Sequence, residues 1–218
     1  KKFDYILVFA SSPIFQVYIG IILKIFKQKI KLVTWVQDLW PENLIALNII
    51  RNKFLINIIS NLTTRIYRSS DILIAQSKSF KKILNKRSKK KAHFIPNYAE
   101  LFIKKNKRKK LNKKFTIVYA GNLGKAQKLL TLLKSAKKLK TNNKVIFKIF
   151  GDGVEFMKLK KFKKDNKINN VTFYGKVSKN RIYKEYINSD ALFLSLVQDK
   201  FLNYTIPAKL QSYFSIGK

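Results

Sequence analysis

The sequence predicts an α/β protein made of two lobes, each built around a parallel β-sheet. Strand-like and helix-like segments alternate along most of the 218 residues, which is the pattern of successive βαβ units. A lysine-rich stretch without this alternation, residues 98–114, lies near the middle of the chain. The residues are 46% hydrophobic and include no cysteine, so apolar cores without disulfides must hold the fold.

Four strands and three helical regions are predicted in the first lobe. A proline that follows two serines favours a helix start near Pro13, and Ser77 is expected to cap a later helix. The long helical region is expected to break near Arg51–Asn52. Such βαβ units predict helices on both faces of the sheet. The strands are Phe3–Phe9, Lys31–Val36, Ile72–Ala75 and Ala92–Ile95, and the helices are Pro13–Phe26, Pro41–Arg68 and Lys78–Asn85.

The second lobe repeats the pattern, with glycine turns after its first two strands. The predicted domains are residues 1–100, a basic linker at 101–114, and residues 115–218. The strands are Phe115–Ala120, Val145–Phe150, Val171–Tyr174 and Ala191–Leu196, and the helices are Ala126–Lys140, a basic helix ending near Lys164, Lys179–Asn188 and a last helix from Pro207.

The charge is strongly basic, with 47 lysines and arginines against 11 acids and a formal net charge of +36. Most of the bases are lysines, whereas recognition of base edges favours arginine. Solvated basic faces that attract anionic lipid are therefore favoured over dedicated nucleic-acid binding. A non-catalytic, lysine-rich module that binds nucleic acid or an anionic membrane remains the alternative function.

No segment reads as a membrane span or a signal peptide. The most apolar run, Ile14–Phe26, is shorter than the roughly 20 residues needed to cross a bilayer. The chain does not begin with methionine and stops at Gly217–Lys218 directly after a helical pattern, so both ends are expected to be cut.

Two segments of the second lobe could bind an anion. The strand Phe115–Ala120 runs into a turn with Gly121, Gly124 and Lys125, where free backbone N–H groups and a cation can hold phosphate. An ordinary tight turn that needs glycine explains the same residues. Further on, Pro207 suits a first helical turn, and Lys209 brings a second cation to a helix start.

Two acids stand out in the first lobe because acids are so few. Asp38 and Glu42 flank Leu39-Trp40-Pro41 at the end of a predicted strand. A carboxylate there can orient or deprotonate a hydroxyl group. The alternative for Glu42 is a favourable charge at a helix N-terminus.

Eight segments distributed along the chain form a recognisable pattern. They resemble, in order and spacing, family 4 glycosyltransferases of the retaining GT-B group, and more closely bacterial capsule and O-antigen enzymes of the N-acetyl-fucosaminyltransferase type. The segments are VQDLWPENLIAL (Val36–Leu47), ILIAQSKSFKKIL (Ile72–Leu84), IPNY (Ile95–Tyr98), VYAGNLGKAQ (Val118–Gln127), FGDG (Phe150–Gly153), FYGKV (Phe173–Val177), ALFLSL (Ala191–Leu196) and TIPAKLQSYFSIGK (Thr205–Lys218).

The resemblance implies a nucleotide-sugar donor, with UDP as the expected nucleotide, in a cleft between two GT-B lobes. Asp38 and Glu42 would be the catalytic, acceptor-side residues. No metal and no cofactor are expected, since the leaving phosphate takes the acceptor proton on the same face of the sugar. Implied diphosphate contacts are Gly121, Asn122, Lys125, Ala208 and Lys209, and implied nucleoside contacts are Gly151, Asp152, Gly153, Lys176 and Val177.

The resemblance also implies a lipid-linked saccharide acceptor and a peripheral position at the cytoplasmic face of a bacterial membrane. No specific nucleic-acid partner is expected.

The sequence departs from the family pattern in two ways. Tyr204 and Ser212 stand where the wider family has a pair of glutamates, although Pro207 and Lys209 fit the pattern of the fucosamine-type branch. Segments that the family has at both ends are missing, so both lobes are expected to be incomplete and the chain weakly active or inactive.

Overall fold

A computed structural model describes residues 3–27, 29–99, 114–199 and 201–218, apart from the side chain of Leu202. The chain forms two compact units. The first comprises residues 1–97 and 198–206, and the second comprises residues 98–197 and 207–218. The predicted basic linker, residues 101–114, lies outside the described residues except for Lys114.

The first unit has a four-stranded parallel sheet with the strand order β1-β2-β3-β4. The predicted break in the long helical region is present, because the Asn52 side chain accepts hydrogen bonds from the N–H groups of Phe54 and Leu55 and starts a new helix. Ser77 caps the last helix by accepting from Phe80 N–H at 3.1 Å. The strands are Tyr5–Ala10 (β1), Lys31–Val36 (β2), Ile72–Ala75 (β3) and His93–Phe94 (β4); the helices are Val17–Phe26 (α1, preceded by a 3-10 turn at Ile14–Gln16), Glu42–Ala46 (α2), Lys53–Ser69 (α3) and Lys78–Ser88 (α4).

Among the described residues, the core of the first unit lies on one face of its sheet. Side chains alternate along each strand, and one set packs with α1, α3 and α4 around Leu32, Ile66 and Phe80. On β1 the opposite set, Tyr5, Leu7 and Phe9, is 58%, 62% and 52% exposed. The prediction of helices on both faces is therefore wrong for this part of the chain, because no described helix packs on that set.

The second unit has a four-stranded parallel sheet with the order β7-β6-β5-β8, and helices cover both of its faces. One core forms around Tyr119, Ile149 and Leu133, and the other lies around Val118 and Tyr213. The strands are Phe115–Ala120 (β5), Val145–Phe150 (β6), Val171–Gly175 (β7) and Ala191–Leu192 (β8); the helices are Leu130–Lys138 (α5), Phe156–Asp165 (α6), Lys179–Asn188 (α7) and Ala208–Ser215 (α8), with 3-10 turns at Lys125–Gln127 and Leu202–Tyr204.

The last predicted strand is shorter than expected. Only two residues of Ala191–Leu196 pair with β5, and Val197 N–H then bonds to the Ala126 carbonyl outside the sheet. The following segment, residues 198–206, packs with the first unit, where Ser77 Oγ donates to the Tyr204 carbonyl at 2.7 Å. None of the described helices is long and apolar enough to span a bilayer.

Candidate functional site

A cleft of about 450 Å³ lies in the second unit, where β5 and β6 end. Ligands of parallel α/β sheets bind at this carboxyl edge. All but one of its lining residues belong to the set predicted for a phosphorylated ligand. The lining residues are Gly121, Asn122, Gly151, Asp152, Gly153, Lys176, Val177 and Ile182.

Backbone packing shapes one wall of the cleft. Gly121 N–H donates to the Phe150 carbonyl at 3.0 Å, and Leu123 N–H donates to the Asp152 carbonyl at 2.8 Å. A Cβ atom on Gly151, whose φ is +117°, would overlap the Gly121 carbonyl. The glycines are thus required by the close approach of two strand ends, and this approach forms the concave surface.

Lys209 lies beside this wall. As the second residue of α8, it directs its Nζ to within 2.7 Å of Tyr119 Oη and 4.0 Å of the Tyr119 ring centroid. The same ammonium group occupies the space that a Cβ on Gly121 would need. Burial lowers the pKa of Lys209 to about 8. The structure therefore brings the predicted Gly121 turn and the predicted Lys209 together.

Lys125 and Ala208 are placed differently from the other predicted phosphate contacts. Lys125 is exposed at the start of the 3-10 turn, Ala208 is exposed at the start of α8, and neither lines the cleft. Gly124 has a φ of −100°, so its backbone does not require glycine in the way that Gly121, with a φ of +140°, does.

The other side of the cleft combines polar and apolar groups. Asp152 Oδ1 accepts from Gly153 N–H at 2.8 Å, and Lys176 adds an exposed cation after β7. Val177 and Ile182 supply an apolar surface. Ile182 was missed from the sequence; its place in the first turn of the helix after β7 was the available signal. A ring system that carries hydroxyl groups matches such a mixture.

Asp38 lies in the first unit at the end of β2, as predicted. Its Oδ2 accepts from the N–H and the hydroxyl of Ser12, both at 2.9 Å, and its Oδ1 accepts from the Asn43 side chain at 2.8 Å. Trp40 Nε1 also donates to Ser12 Oγ. The carboxylate thus orders the turn after β1 and the start of α2.

Glu42 forms an ion pair with Arg87, at 3.2 Å from Nη1. Arg87 also donates to the Trp40 carbonyl at 2.7 Å and to the Ser60 carbonyl at 2.8 Å. These contacts connect α2, α3 and α4. They agree with a structural role for Glu42, which the sequence left open beside the catalytic one.

Metal ligands do not cluster in the described parts of the chain, where no group of three or more His, Cys, Asp or Glu residues is close enough to hold an ion.

Part of the chain matches a family of known proteins. Residues 102–201, just under half of the chain, match the family model for glycosyl transferases group 1. No curated protein sequence matches significantly.

Several solved structures have the same fold. The pneumococcal O-GlcNAc transferase GtfA in complex with UDP and GlcNAc aligns with a TM-score of 0.66 at 14% identity, over 98% of this chain and 40% of its own. Anabaena Alr3699/HepE with UDP-glucose aligns at 0.73 and 11% identity, over 99% of this chain and 58% of its own. The lipopolysaccharide outer core galactosyltransferase WaaB in its apo form aligns at 0.59 and 18% identity, over 96% and 54%.

These likenesses confirm the predicted fold class, two parallel-sheet α/β lobes of the GT-B type. The chain spans about half the length of the structures it matches.

Proposed function

We propose that this chain is the donor-binding part, with a portion of the acceptor-side lobe, of a glycosyltransferase that uses a nucleotide sugar. The observation that carries the proposal is the glycine-walled cleft at the ends of β5 and β6, with the Lys209 ammonium group beside it. The match of residues 102–201 to a glycosyltransferase family supports it, as do solved structures of the same fold that contain UDP or UDP-glucose.

The donor, with UDP as its nucleotide, is proposed to bind by two kinds of contact. The diphosphate lies near Gly121, Asn122 and Lys209, where the missing side chain of Gly121 leaves room for the ammonium group; the N–H groups of Gly121 and Leu123 already bond within the protein. The exposed Lys125 adds long-range attraction. The nucleoside lies against Val177 and Ile182, with Asp152 and Lys176 available to its hydroxyl and polar groups.

Transfer is proposed to proceed with retention and without a metal, as the resemblance to family 4 enzymes implies. The bond from the sugar to the diphosphate breaks, the acceptor oxygen forms the new bond, and the leaving phosphate takes the acceptor proton. Negative charge grows on the diphosphate during this step. A cation fixed beside it lowers the barrier because that charge is stabilised most in the transition state.

The acceptor is proposed to be a lipid-linked saccharide in the synthesis of a bacterial cell-surface polysaccharide such as capsule or O-antigen. Asp38 would orient it, either directly or through the turn that holds Ser12. Glu42 would act by fixing α2 through Arg87.

The protein is proposed to work on the cytoplasmic face of the membrane. The apolar face of α1, formed by Ile19, Ile22, Ile25 and Phe26, is at least half exposed, and Phe26 reaches 81%. Together with the net charge of +36, this face suits contact with anionic lipid.

Calorimetric titration with UDP tests the proposed function. We expect a dissociation constant between low micromolar and millimolar, weakened about tenfold or more by Lys209→Ala and less by the exposed Lys125→Ala. Lys137→Ala, which removes an exposed lysine of α5, is the matched control and should bind normally.

The alternative, a polyanion-binding module, is favoured only by the charge. It requires that UDP does not bind and that oligonucleotides bind with a steep dependence on salt.

A further inference from the structure

We infer that Tyr119 is a positioning residue, which holds the Lys209 ammonium group at the Gly121 turn so that the cation is in place before an anionic ligand binds. Tyr119 is the fifth residue of β5 and belongs to the core of the second unit, and its sequence position marks it only as a core residue. The inference rests on the proposed function insofar as the ligand is the donor diphosphate.

The hydroxyl group of Tyr119 makes two hydrogen bonds whose directions are fixed. An ammonium group can only donate, so Lys209 Nζ donates to Tyr119 Oη at 2.7 Å. The hydroxyl then donates its own hydrogen to the Asn122 carbonyl at 2.5 Å. Lys209 is thereby connected through a single hydroxyl group to the turn that lines the cleft.

The aromatic ring of Tyr119 supplies the second contact. Lys209 Nζ lies 4.0 Å from the ring centroid, within the range of a cation–π interaction. Tyr119 is fully buried, so its ring cannot change rotamer without disturbing the core around Leu133 and Ile149. The ring thus fixes the position of the ammonium group as well as stabilising its charge.

The charge of Lys209 is incompletely compensated. No carboxylate in the described residues lies within ion-pair distance of its Nζ, and Tyr119 Oη is the one hydrogen-bond partner found for its three N–H groups there. A partly buried cation with N–H groups to spare gains most from an anion. A diphosphate at the Gly121 turn would provide the missing acceptors.

Gly121 makes the arrangement possible. Any side chain there would collide with Lys209 Nζ and with Lys209 Cε, which lies 2.5 Å from the ideal Cβ position. The absence of a side chain therefore lets the cation approach the backbone of the turn. The ammonium group is therefore held at the turn by Tyr119, Gly121 and Lys209 together, although Tyr119 and Lys209 are 90 positions apart.

A double-mutant cycle on the 218-residue chain tests the inference, with UDP and uridine as probes. Tyr119→Phe keeps the ring and removes the hydroxyl group, and we expect UDP affinity to fall about 5- to 10-fold while uridine affinity stays unchanged. In a Lys209→Ala background the same substitution should have no further effect on UDP. Tyr186→Phe, which removes another buried tyrosine hydroxyl from this unit, should bind UDP normally.

NMR of ¹³C-labelled lysine provides a readout that does not require UDP to bind. The Lys209 ε-CH₂ signal should show the ring-current shift of a group next to an aromatic face, and Tyr119→Phe should move it. An unshifted wild-type signal overturns the inference, as does an equal loss of UDP affinity in both backgrounds. A shifted signal that responds to Tyr119→Phe, in a protein that ignores UDP, overturns the proposed function and leaves the positioning of Lys209 intact.

Discussion

The carboxylate of Glu42 lies 3.2 Å from the guanidinium group of Arg87, and both side chains are mostly withdrawn from solvent. The same guanidinium group stacks over Tyr67, with its Cζ 5.0 Å from the ring centroid, and donates to two backbone carbonyls. Glu42 therefore sits within a packing contact of three helices.

Arg87→Ala should destabilise the protein by about 3–5 kcal/mol, because it leaves the Glu42 charge and two carbonyls without their partner. Glu42→Gln should cost about 1–2 kcal/mol, since the amide oxygen still accepts a hydrogen bond. Urea unfolding measures both, with the exposed Arg51→Ala as control. A Glu42→Gln protein of unchanged stability but without transfer activity would instead favour a catalytic Glu42.

Asp38→Asn should lower stability by about 1–3 kcal/mol, because an amide offers one acceptor where the carboxylate serves Ser12 and Asn43 together. Ser12→Ala removes the hydroxyl contacts but keeps the carboxylate, and should cost about 1 kcal/mol. If Asp38 also faces the acceptor, Asp38→Asn reduces transfer far more than Ser12→Ala does. Equal reductions in a transfer assay would limit Asp38 to ordering the turn.

Gly121→Ala should weaken UDP binding at least tenfold, because the new methyl group meets Lys209 and the φ of +140° disfavours any side chain. Gly217→Ala is the control, because it also places a side chain on a backbone of positive φ but meets nothing within 4 Å. Titration calorimetry distinguishes them; similar losses would assign the effect to backbone strain in general and not to the Gly121 turn.

UDP affinity should decrease as the pH rises through about 8, the pKa to which burial lowers Lys209. The diphosphate prefers the protonated ammonium group, so affinity is complete below this pKa and falls above it by up to about tenfold per pH unit. Lys209→Arg carries a guanidinium group that does not titrate in this range, so its affinity should stay nearly constant up to pH 9.5. A parallel decline in both proteins would assign the effect to another group.

Binding to anionic vesicles should depend on the apolar face of α1. Ile22→Glu with Phe26→Glu should reduce binding to phosphatidylglycerol vesicles about tenfold or more in a sedimentation assay, because each change places a charge where a side chain would enter the interface. Met157→Glu alters a residue of the second unit that is 73% exposed, and should have little effect. If the α1 variant and Met157→Glu lost vesicle binding equally, net charge alone would explain the attraction to the membrane.

The sequence predicted best the strands that are short, mostly apolar segments. The bounds of β2, β3, β5 and β6 agree with the structure because each such segment is bounded by polar or turn residues. The strand predicted at Ala191–Leu196 ends early because Ser195 Oγ and the following Val197 N–H bond to the carbonyls of Gln127 and Ala126 outside the sheet, which no local pattern records.

The sequence predicted the site residues that lie at glycine turns, but not the contacts between residues that are far apart along the chain. Turns were predicted at Gly121 and Gly151, and the structure places both glycines in one cleft. The contact of Tyr119 with Lys209 was not predictable, since a tyrosine in an apolar strand suggests only a core position. The contacts of Arg87 were missed for the same reason, because its partners lie in α2, in α3 and at Trp40, all far from it along the chain.

The path of the chain between the two units has a consequence for dissecting the protein. Residues 198–206 complete the first unit, and the chain then returns to the second at Pro207, directly before the helix that carries Lys209. A protease cut between residues 98 and 114 would separate the chain into an N-terminal and a C-terminal fragment. Tyr204 belongs to the C-terminal fragment but packs against the core of the N-terminal one. The two fragments should complement each other and elute together, and a recombinant piece ending at Asn97 should fold poorly unless residues 198–206 are restored.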